Sequence, residues 1–227
     1  MCSVSRKFIE IKGFAFDLDG VITDTAKFHT QAWHALADQV NVTWTPELQE
    51  SLKGIDRMGS LEMILKAGNK QDDYTHDEKV ALASWKNNHY VELISGLTPD
   101  DILPGMADFI KELNDKCYKA SVASASKNAP FILDRLQLTD SFVGIVDPST
   151  LTANKPDPEI YVRAAELLNL PPEQVIGLED AASGIQAING AGEVSLGIGN
   201  AEILHDADIR FDATADVTLA NIAAKLD

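Results

Sequence analysis

The stretch FDLDGVITDT, residues 16–25, decides the fold because it joins a buried strand to an acidic turn. The apolar residues 14–16 lead into Asp17 and Asp19, and Gly20 follows at once. Residues i and i+2 of a strand point to the same side, so both carboxylates are expected to face one site. Open α/β sheets bind their ligands at this carboxyl end of the strands. An isolated pair of this kind is also compatible with a strand end that caps the next helix, and the rest of the chain decides between the two.

The composition is that of a globular chain: 227 residues, 45% hydrophobic and 24% charged. A net charge of −16 argues against nucleic-acid binding, which depends on Lys and Arg contacts to phosphate. Residues 1–12 lack the apolar core of a signal peptide, and no stretch approaches the roughly 18 apolar residues of a membrane span. We therefore expect a cytoplasmic protein that binds neither nucleic acid nor a membrane.

Short apolar runs alternate with amphipathic segments over most of the chain. The predicted strands are 12–17, 119–124, 142–146, 175–179 and 194–198, and the predicted helices lie near 105–116, 127–137, 157–169 and 181–191. This alternation is typical of a parallel sheet covered by helices on both faces. Residues 1–25 and 96–227 are thus predicted to form a Rossmann-like α/β core.

Residues 26–95 interrupt this alternation with helical periodicity and no convincing strand. One apolar stripe follows His29, Trp33, Leu36 and Val40. A short second helix is predicted to end at Gly54, and a fourth helix to run from Val80 to Ile94. Because the insertion directly follows the acidic strand, we expect a helical cap domain over the active end of the sheet, closing like a lid on a two-stranded hinge.

Four polar groups fall at the predicted carboxyl ends of strands. They are the pair Asp17 and Asp19, then Ser124, then Lys155, and finally the pair Glu179 and Asp180. Each group alone has a simpler explanation, such as a helix cap or a solvated side chain. All four in this order on a βαβ pattern favour a single site.

Together these groups meet the needs of phosphoryl transfer. Asp17, Glu179 and Asp180 supply the oxygen ligands that Mg²⁺ prefers. Asp17 can act as the nucleophile through an acyl phosphate, and Asp19 can protonate a leaving alkoxide and later deprotonate the incoming hydroxyl. Lys155 and Ser124 would counter the charge on the transferring phosphoryl group.

The same residues resemble the four motifs of the haloacid dehalogenase superfamily, which together span nearly the whole core. The matching segments are 17–25, 124–128, 155–156 and 179–180. The resemblance extends to the sugar-phosphate mutase branch of that superfamily through residues 24–26, His29, residues 32–33, the cap segment 52–57, and residues 123–128 and 177–180. Ala181 departs from the pattern, because a serine commonly follows the Glu-Asp pair.

The resemblance implies a phosphoaspartate enzyme that interconverts β-D-glucose 1-phosphate and glucose 6-phosphate through bound β-glucose 1,6-bisphosphate. Mg²⁺ would lie on Asp17, the backbone carbonyl of Asp19, Glu179 and Asp180. A small phosphosugar would be the substrate and the protein would be a monomer.

The resemblance also implies roles for residues outside the four groups. Thr25 and His29 would couple domain closure to the position of Asp19. The grip on the non-transferring phosphate would come from Arg57, Ser126, Lys127 and Asn128. The sugar would meet Lys53, Gly54 and Ile55, with Asp56, Ala125 and Trp33 as further substrate contacts, although an aromatic residue such as Trp33 on a cap helix is most often packing.

Three other functions remain as alternatives. A sugar-phosphate phosphatase of the same superfamily would use the same core and let water attack the intermediate. A signalling receiver domain also combines an acidic pair, a hydroxyl residue, a lysine and Mg²⁺, but it has no place for the helical insertion. A non-catalytic sugar-phosphate binding protein would not need both Asp17 and Asp19.

Arg57 generates the first prediction, because it lies in the insertion and would close the lid only when a second phosphate is present. We expect Arg57→Ala to lower the turnover of the bisphosphate-dependent reaction sharply, measured as conversion between the glucose monophosphates. Near-normal activity of this variant would refute the clamp.

Overall fold

The computed structural model describes residues 8–52 and 57–227. Within these residues the strands, in chain order, are β1 (Gly13–Phe16), β2 (Lys119–Val122), β3 (Gly144–Ile145), β4 (Val175–Glu179), β5 (Val194–Ile198) and β6 (Ile209–Phe211). They form one sheet in the order β3-β2-β1-β4-β5-β6, and every pairing is parallel. The predicted α/β fold with a Rossmann-like parallel sheet is therefore confirmed.

The α-helices of the described chain are α1 (Ala26–Gln39), α2 (Pro46–Ser51), α3 (Arg57–Ala67), α4 (His76–Ile94), α5 (Met106–Asp115), α6 (Ala129–Arg135), α7 (Glu159–Leu168), α8 (Ala182–Ala191) and α9 (Leu219–Leu226). The chain divides into two compact units. The α/β unit comprises Met1–Asp24 and Leu97–Asp227, and the helical unit comprises Thr25–Gly96.

Strand β1 packs differently on its two sides because its residues alternate in size. Ala15 belongs to a buried cluster with residues of α7 and α8, and small side chains allow those helices to approach the sheet. Phe14 and Phe16 contact the ring of Phe109 on α5, at centroid distances of 5.6 and 6.0 Å. The sheet is thus covered on both faces, and its central strand leads directly into Asp17.

The helical unit begins and ends its helices with local signals in the sequence. Thr45 caps α2 by accepting a hydrogen bond from the amide of Leu48 at 3.2 Å, with Pro46 in the first turn. The predicted start of the fourth helix at Val80 was four residues late, because Thr75 and Glu78 form a capping box that begins α4 at His76. The predicted end of the second helix at Gly54 lies outside the described residues.

The sequence interpretation missed β6 and α9 and overestimated β3. Strand β6 has three residues at the edge of the sheet, too few to give a period. Helix α9 follows Thr218, whose hydroxyl accepts a hydrogen bond from the amide of Asn221. No helix in 8–52 or 57–227 combines the length and apolar character needed to cross a bilayer.

Phe14 tests the packing of the α/β unit, because it is fully buried and makes edge-to-face contacts with Phe109 and Tyr118. We expect Phe14→Ala to lower the free energy of unfolding by about 3–5 kcal/mol through loss of buried surface and cavity formation. Urea unfolding followed by circular dichroism measures this.

The control is Phe131→Ala on α6, where the ring is 38% exposed and the expected loss is within about 1 kcal/mol. Equal losses in the two variants would contradict the packing assigned to Phe14.

Candidate active site

Asp17 continues β1 into the site without a break in the backbone pairing. Its amide donates to the carbonyl oxygen of Leu178 on β4 at 3.0 Å, while the amide of Ala123 donates to Phe16 at 2.7 Å. The side chain of Asp17 is buried. A carboxylate therefore stands at the carboxyl end of the central strand, as the sequence predicted.

Lys155 reaches this carboxylate from the loop before α7. Its Nζ donates to Asp17 Oδ1 at 2.6 Å, to Glu179 Oε1 at 2.7 Å and to the carbonyl oxygen of Ala123 at 3.0 Å. Burial alone would lower the pKa of Lys155, but the charges of Asp17 and Glu179 outweigh burial and raise it. Lys155 is therefore a fixed cation with all three ammonium hydrogens used.

Glu179 ends β4 with both carboxylate oxygens engaged. Its Oε2 accepts from the amides of Asp180 and Ala181 at 2.9 and 3.0 Å, and its Oε1 binds Lys155. The hydroxyl of the buried Tyr161 lies 3.4 Å from the same Oε1. Glu179 is thus oriented both by the backbone that follows it and by α7.

Two glycines leave space for the side chains of Asp180 and Glu179. Gly20 has φ 75°, and a Cβ there would overlap the carboxylate of Asp180. A Cβ at Gly184 on α8 would overlap the carboxyl group of Glu179. Both positions therefore require glycine for close approach, and Gly20 also for its backbone conformation.

Three carboxylates converge at this end of the sheet. Oxygen atoms of Asp17, Glu179 and Asp180 lie within 4.8 Å of one another. Burial raises the pKa of Asp17 well above its ordinary range, with Lys155 opposing and the charges of Glu179 and Asp19 adding to the increase. Partial burial, Glu179 and Asp19 raise the pKa of Asp180 to about 7. Such crowding of hard oxygen donors fits a divalent cation, which would relieve the repulsion.

Asp19 lies in a turn that folds back on itself. The amide of Gly20 donates to the carbonyl oxygen of Thr23 at 2.9 Å, and Asp19 pairs with Thr23 in an isolated bridge. Thr23 is tied in turn to Asp101, whose carbonyl oxygen accepts from its hydroxyl at 2.8 Å. Asp19 is half-buried, and its charge acts on both Asp17 and Asp180.

The serine loop after β2 forms two consecutive hydroxyl turns. Ser124 Oγ accepts from the amide of Ser126 at 3.1 Å, and Ser126 Oγ accepts from the amide of Asn128 at 3.2 Å. The hydroxyl hydrogens take no part in these two bonds and can donate to a ligand. Ser124 is buried, whereas Ala125 and Lys127 are exposed.

His29 in the helical unit pairs with a lysine that the sequence reading missed. The Nζ of Lys86 lies 2.9 Å from His29 Nδ1, and the His29 ring stacks on Tyr90 at 4.0 Å. Lys86 is 3% exposed, with its ammonium over the ring of Trp33 at 4.5 Å. Trp33 itself belongs to the core of this unit, so packing accounts for its position and its substrate contact stays a prediction.

Burial lowers the pKa values of both Lys86 and His29. Burial and then the positive charge of Arg57 lower the pKa of Lys86 to about 7. Burial, Lys86 and Arg57 lower the pKa of His29 to about 3. Arg57 donates to Asn87 Oδ1 at 2.8 Å from an exposed position.

The other predicted site residues fall into two groups. Thr25 is fully buried, and its hydroxyl has no hydrogen-bond partner within the described chain. Lys53, Gly54, Ile55 and Asp56 lie outside the described residues, so their predicted substrate contacts stay predictions.

Two residues were missed although the sequence carried a signal. Lys86 lies on the buried stripe of α4 with Ala83, Tyr90 and Ile94, and a lysine on an apolar stripe marks a special environment. Tyr161 lies on the buried face of α7 beside Ile160. A hydroxyl there needs a polar partner, which turned out to be Leu178 and Glu179.

Comparison with known proteins agrees with this geometry. A family model of haloacid dehalogenase-like hydrolases matches residues 11–192. The chain belongs to the haloacid dehalogenase-like family. Among curated relatives, β-phosphoglucomutase of Bacillus subtilis is 44% identical over 92% of this chain and 92% of its own length.

Solved structures of this family share the fold. The crystal structure of β-phosphoglucomutase from Clostridium difficile has a TM-score of 0.85 and 44% identity, covering 95% of this chain and 97% of that chain. Another curated relative, the phosphorylated carbohydrates phosphatase of Thermotoga maritima, is 28% identical over 78% of this chain and 80% of its own length. Within the family, the chain is therefore a homologue of β-phosphoglucomutase.

The buried Lys86, which faces the neutral His29 from α1 and the charged Arg57 from α3, predicts how stability depends on pH. Its pKa is about 7 in the folded chain and 10.5 ordinarily, so between these values the unfolded state binds more protons and wild-type stability rises with pH. We expect Lys86→Met to stabilise the protein by on the order of 3 kcal/mol at about pH 7 and by little near pH 10.

Urea unfolding at several pH values measures this difference, with Lys66→Met at an exposed position of α3 as control. A stability difference that does not change with pH would contradict the buried, neutralised lysine.

Proposed function

We propose that the protein interconverts β-D-glucose 1-phosphate and glucose 6-phosphate through an aspartyl phosphate on Asp17 and bound β-glucose 1,6-bisphosphate. The observation that supports this most strongly is the Lys155 ammonium held between Asp17 and Glu179 at 2.6 and 2.7 Å. The homology to β-phosphoglucomutase supports the choice of substrate.

Mg²⁺ is the metal that the acidic cluster would hold. Asp17, Glu179 and Asp180 offer the carboxylate oxygens, and we propose that the backbone carbonyl of Asp19 completes the protein ligands. When bound, Mg²⁺ neutralises charge on the transferring phosphoryl group.

Asp17 would act as the nucleophile. Burial favours its neutral form, so the attacking carboxylate depends on the positive charge of Lys155 beside it. Attack on the donor phosphate forms the Asp17–phosphoryl bond as the sugar oxygen leaves. Lys155 and the Ser124 hydroxyl would then donate to the phosphoryl oxygens, whose charge they balance.

Asp19 would move the proton. A sugar alkoxide is a poor leaving group unless it is protonated, so a carboxylic acid close to Asp17 is needed in one half-reaction and its carboxylate in the other. The turn from Gly20 to Thr23 holds Asp19 close enough for its charge to raise the pKa of Asp17.

The non-transferring phosphate of the substrate needs a binding site of its own. We propose that Arg57, Ser126, Lys127 and Asn128 bind it, with Thr25 and His29 linking that event to Asp19. The sugar would contact Lys53, Gly54, Ile55 and Asp56. We also propose that the enzyme is a cytoplasmic monomer.

A phosphatase is the second candidate, favoured by the similarity to the Thermotoga maritima phosphatase. Water would then attack the aspartyl phosphate. The deciding experiment supplies β-glucose 1-phosphate, Mg²⁺ and a trace of β-glucose 1,6-bisphosphate, and measures glucose 6-phosphate and inorganic phosphate together. The mutase proposal expects glucose 6-phosphate in large excess. Phosphate release without glucose 6-phosphate would establish the phosphatase.

The acid role of Asp19 gives a sharper prediction. We expect Asp19→Ala to lower kcat for the sugar phosphate by about 10²–10⁴-fold, the usual contribution of general acid catalysis. Phosphorylation of Asp17 by an acyl phosphate, whose leaving group needs no proton, should fall far less.

Mass spectrometry of the protein after incubation with acetyl phosphate measures the second rate, and Asp140→Ala at an exposed position is the control. Equal losses with both donors would contradict the proton-transfer role.

A further inference from the structure

The loop that carries Lys155 is held by one carboxylate from the first turn of α7. Glu159 Oε2 accepts hydrogen bonds from the amide and the hydroxyl of Thr152, both at 2.7 Å, and from the amide of Ala153 at 3.3 Å. The Thr152 hydroxyl, followed by the Thr152 and Ala153 amides, lowers the pKa of Glu159. The side chain is therefore a charged acceptor for three donors of the loop.

The chain between this clamp and α7 is a closed turn. The amide of Asp157 donates to the carbonyl oxygen of Asn154 at 2.9 Å, and Asp157 Oδ1 accepts from the amide of Glu159 at 3.0 Å. Lys155 thus lies between the clamped residues 152–153 and a turn fixed to the helix.

The ammonium of Lys155 must be positioned more accurately than that of a surface lysine. Its three acceptors, Asp17, Glu179 and Ala123, come from three different strand ends and lie within 3.0 Å. A lysine side chain has four flexible bonds. The ammonium of Lys155 therefore keeps one position only while the backbone of Lys155 stays fixed relative to the three acceptors. A misplacement of about 1 Å can cost roughly 10²-fold in rate.

We propose that Glu159 is a positioning residue, which sets the ammonium of Lys155 by clamping residues 152–153. This inference rests on the role proposed for Lys155 above. Glu159 touches neither Asp17 nor Glu179 in any described contact, so its effect must pass through the loop.

Helix α7 offers a matched pair of variants for the test. Glu159 and Glu166 both pair with Arg163, at 3.7 and 3.1 Å, but of the two only Glu159 binds the loop in the described contacts. We expect Glu159→Ala to lower kcat about tenfold with KM for β-glucose 1-phosphate changed less than about twofold. Glu166→Ala should leave both constants unchanged.

A second measurement reports the accessibility of Lys155 and does not depend on enzyme activity. Lys155 is 14% exposed and Lys111 on α5 is 72% exposed, so brief acetylation followed by mass spectrometry should modify mainly Lys111. In Glu159→Ala, where the loop opens more often, we expect the Lys155-to-Lys111 ratio to rise about threefold or more. A purely structural role of Glu159 would change the melting temperature and leave this ratio as in Glu166→Ala.

Milder variants cover the case in which Glu159→Ala does not fold. Glu159→Gln keeps one acceptor oxygen and Thr152→Val removes one donor, so both should show the same changes in smaller size. Wild-type values of kcat and of the labelling ratio in the folded variants, or an equal loss in Glu166→Ala, would overturn the inference. A raised labelling ratio in an enzyme whose wild type does not convert glucose monophosphates would uphold the clamp and refute the proposed function.

Discussion

The structure of the site depends on one buried ion triad, in which Lys155 lies between Asp17 and Glu179. Burial at the carboxyl end of the sheet raises the pKa of Asp17, and the Lys155 ammonium opposes that rise. The lysine in turn keeps its charge because two carboxylates face it. The ammonium and the two carboxylates attract one another, which offsets part of the cost of burying three ionisable groups together. Lys155 thus favours the carboxylate form of Asp17, which a nucleophile needs, against the effect of burial.

The helical unit also contains a buried lysine, Lys86, but there the pKa of the lysine is lowered. Lys86 is buried against aromatic faces and a histidine nitrogen, and its pKa falls to about 7 as a result. In the α/β unit, carboxylates hold a lysine charged; in the helical unit, burial and a nearby arginine make a lysine easier to deprotonate. A buried lysine thus forms a charged ion triad in the α/β unit, as Lys155, and lowers stability near neutral pH in the helical unit, as Lys86.

Much of this organisation could be predicted from the sequence. Strands β1 and β4 were predicted from the short apolar segments before Asp17 and Glu179. Such segments are typical of buried parallel strands, which are short and continuously apolar. Strand β6 was missed because three residues carry no period, and the start of α4 was missed because its capping box lies before the apolar stripe. The contacts of Glu159 and Lys86 could not be predicted, since both depend on residues brought together only by tertiary folding.

The proposed mechanism requires that Asp17 carry the phosphoryl group during turnover. Rapid mixing of the enzyme with β-glucose 1,6-bisphosphate and Mg²⁺, acid quenching and peptide mass spectrometry test it most directly. We expect one phosphoryl group on the peptide that contains Asp17, formed at least as fast as the enzyme turns over and absent from Asp17→Asn. Full mutase turnover with no phosphoryl group on Asp17, or with the group on another residue, would contradict it.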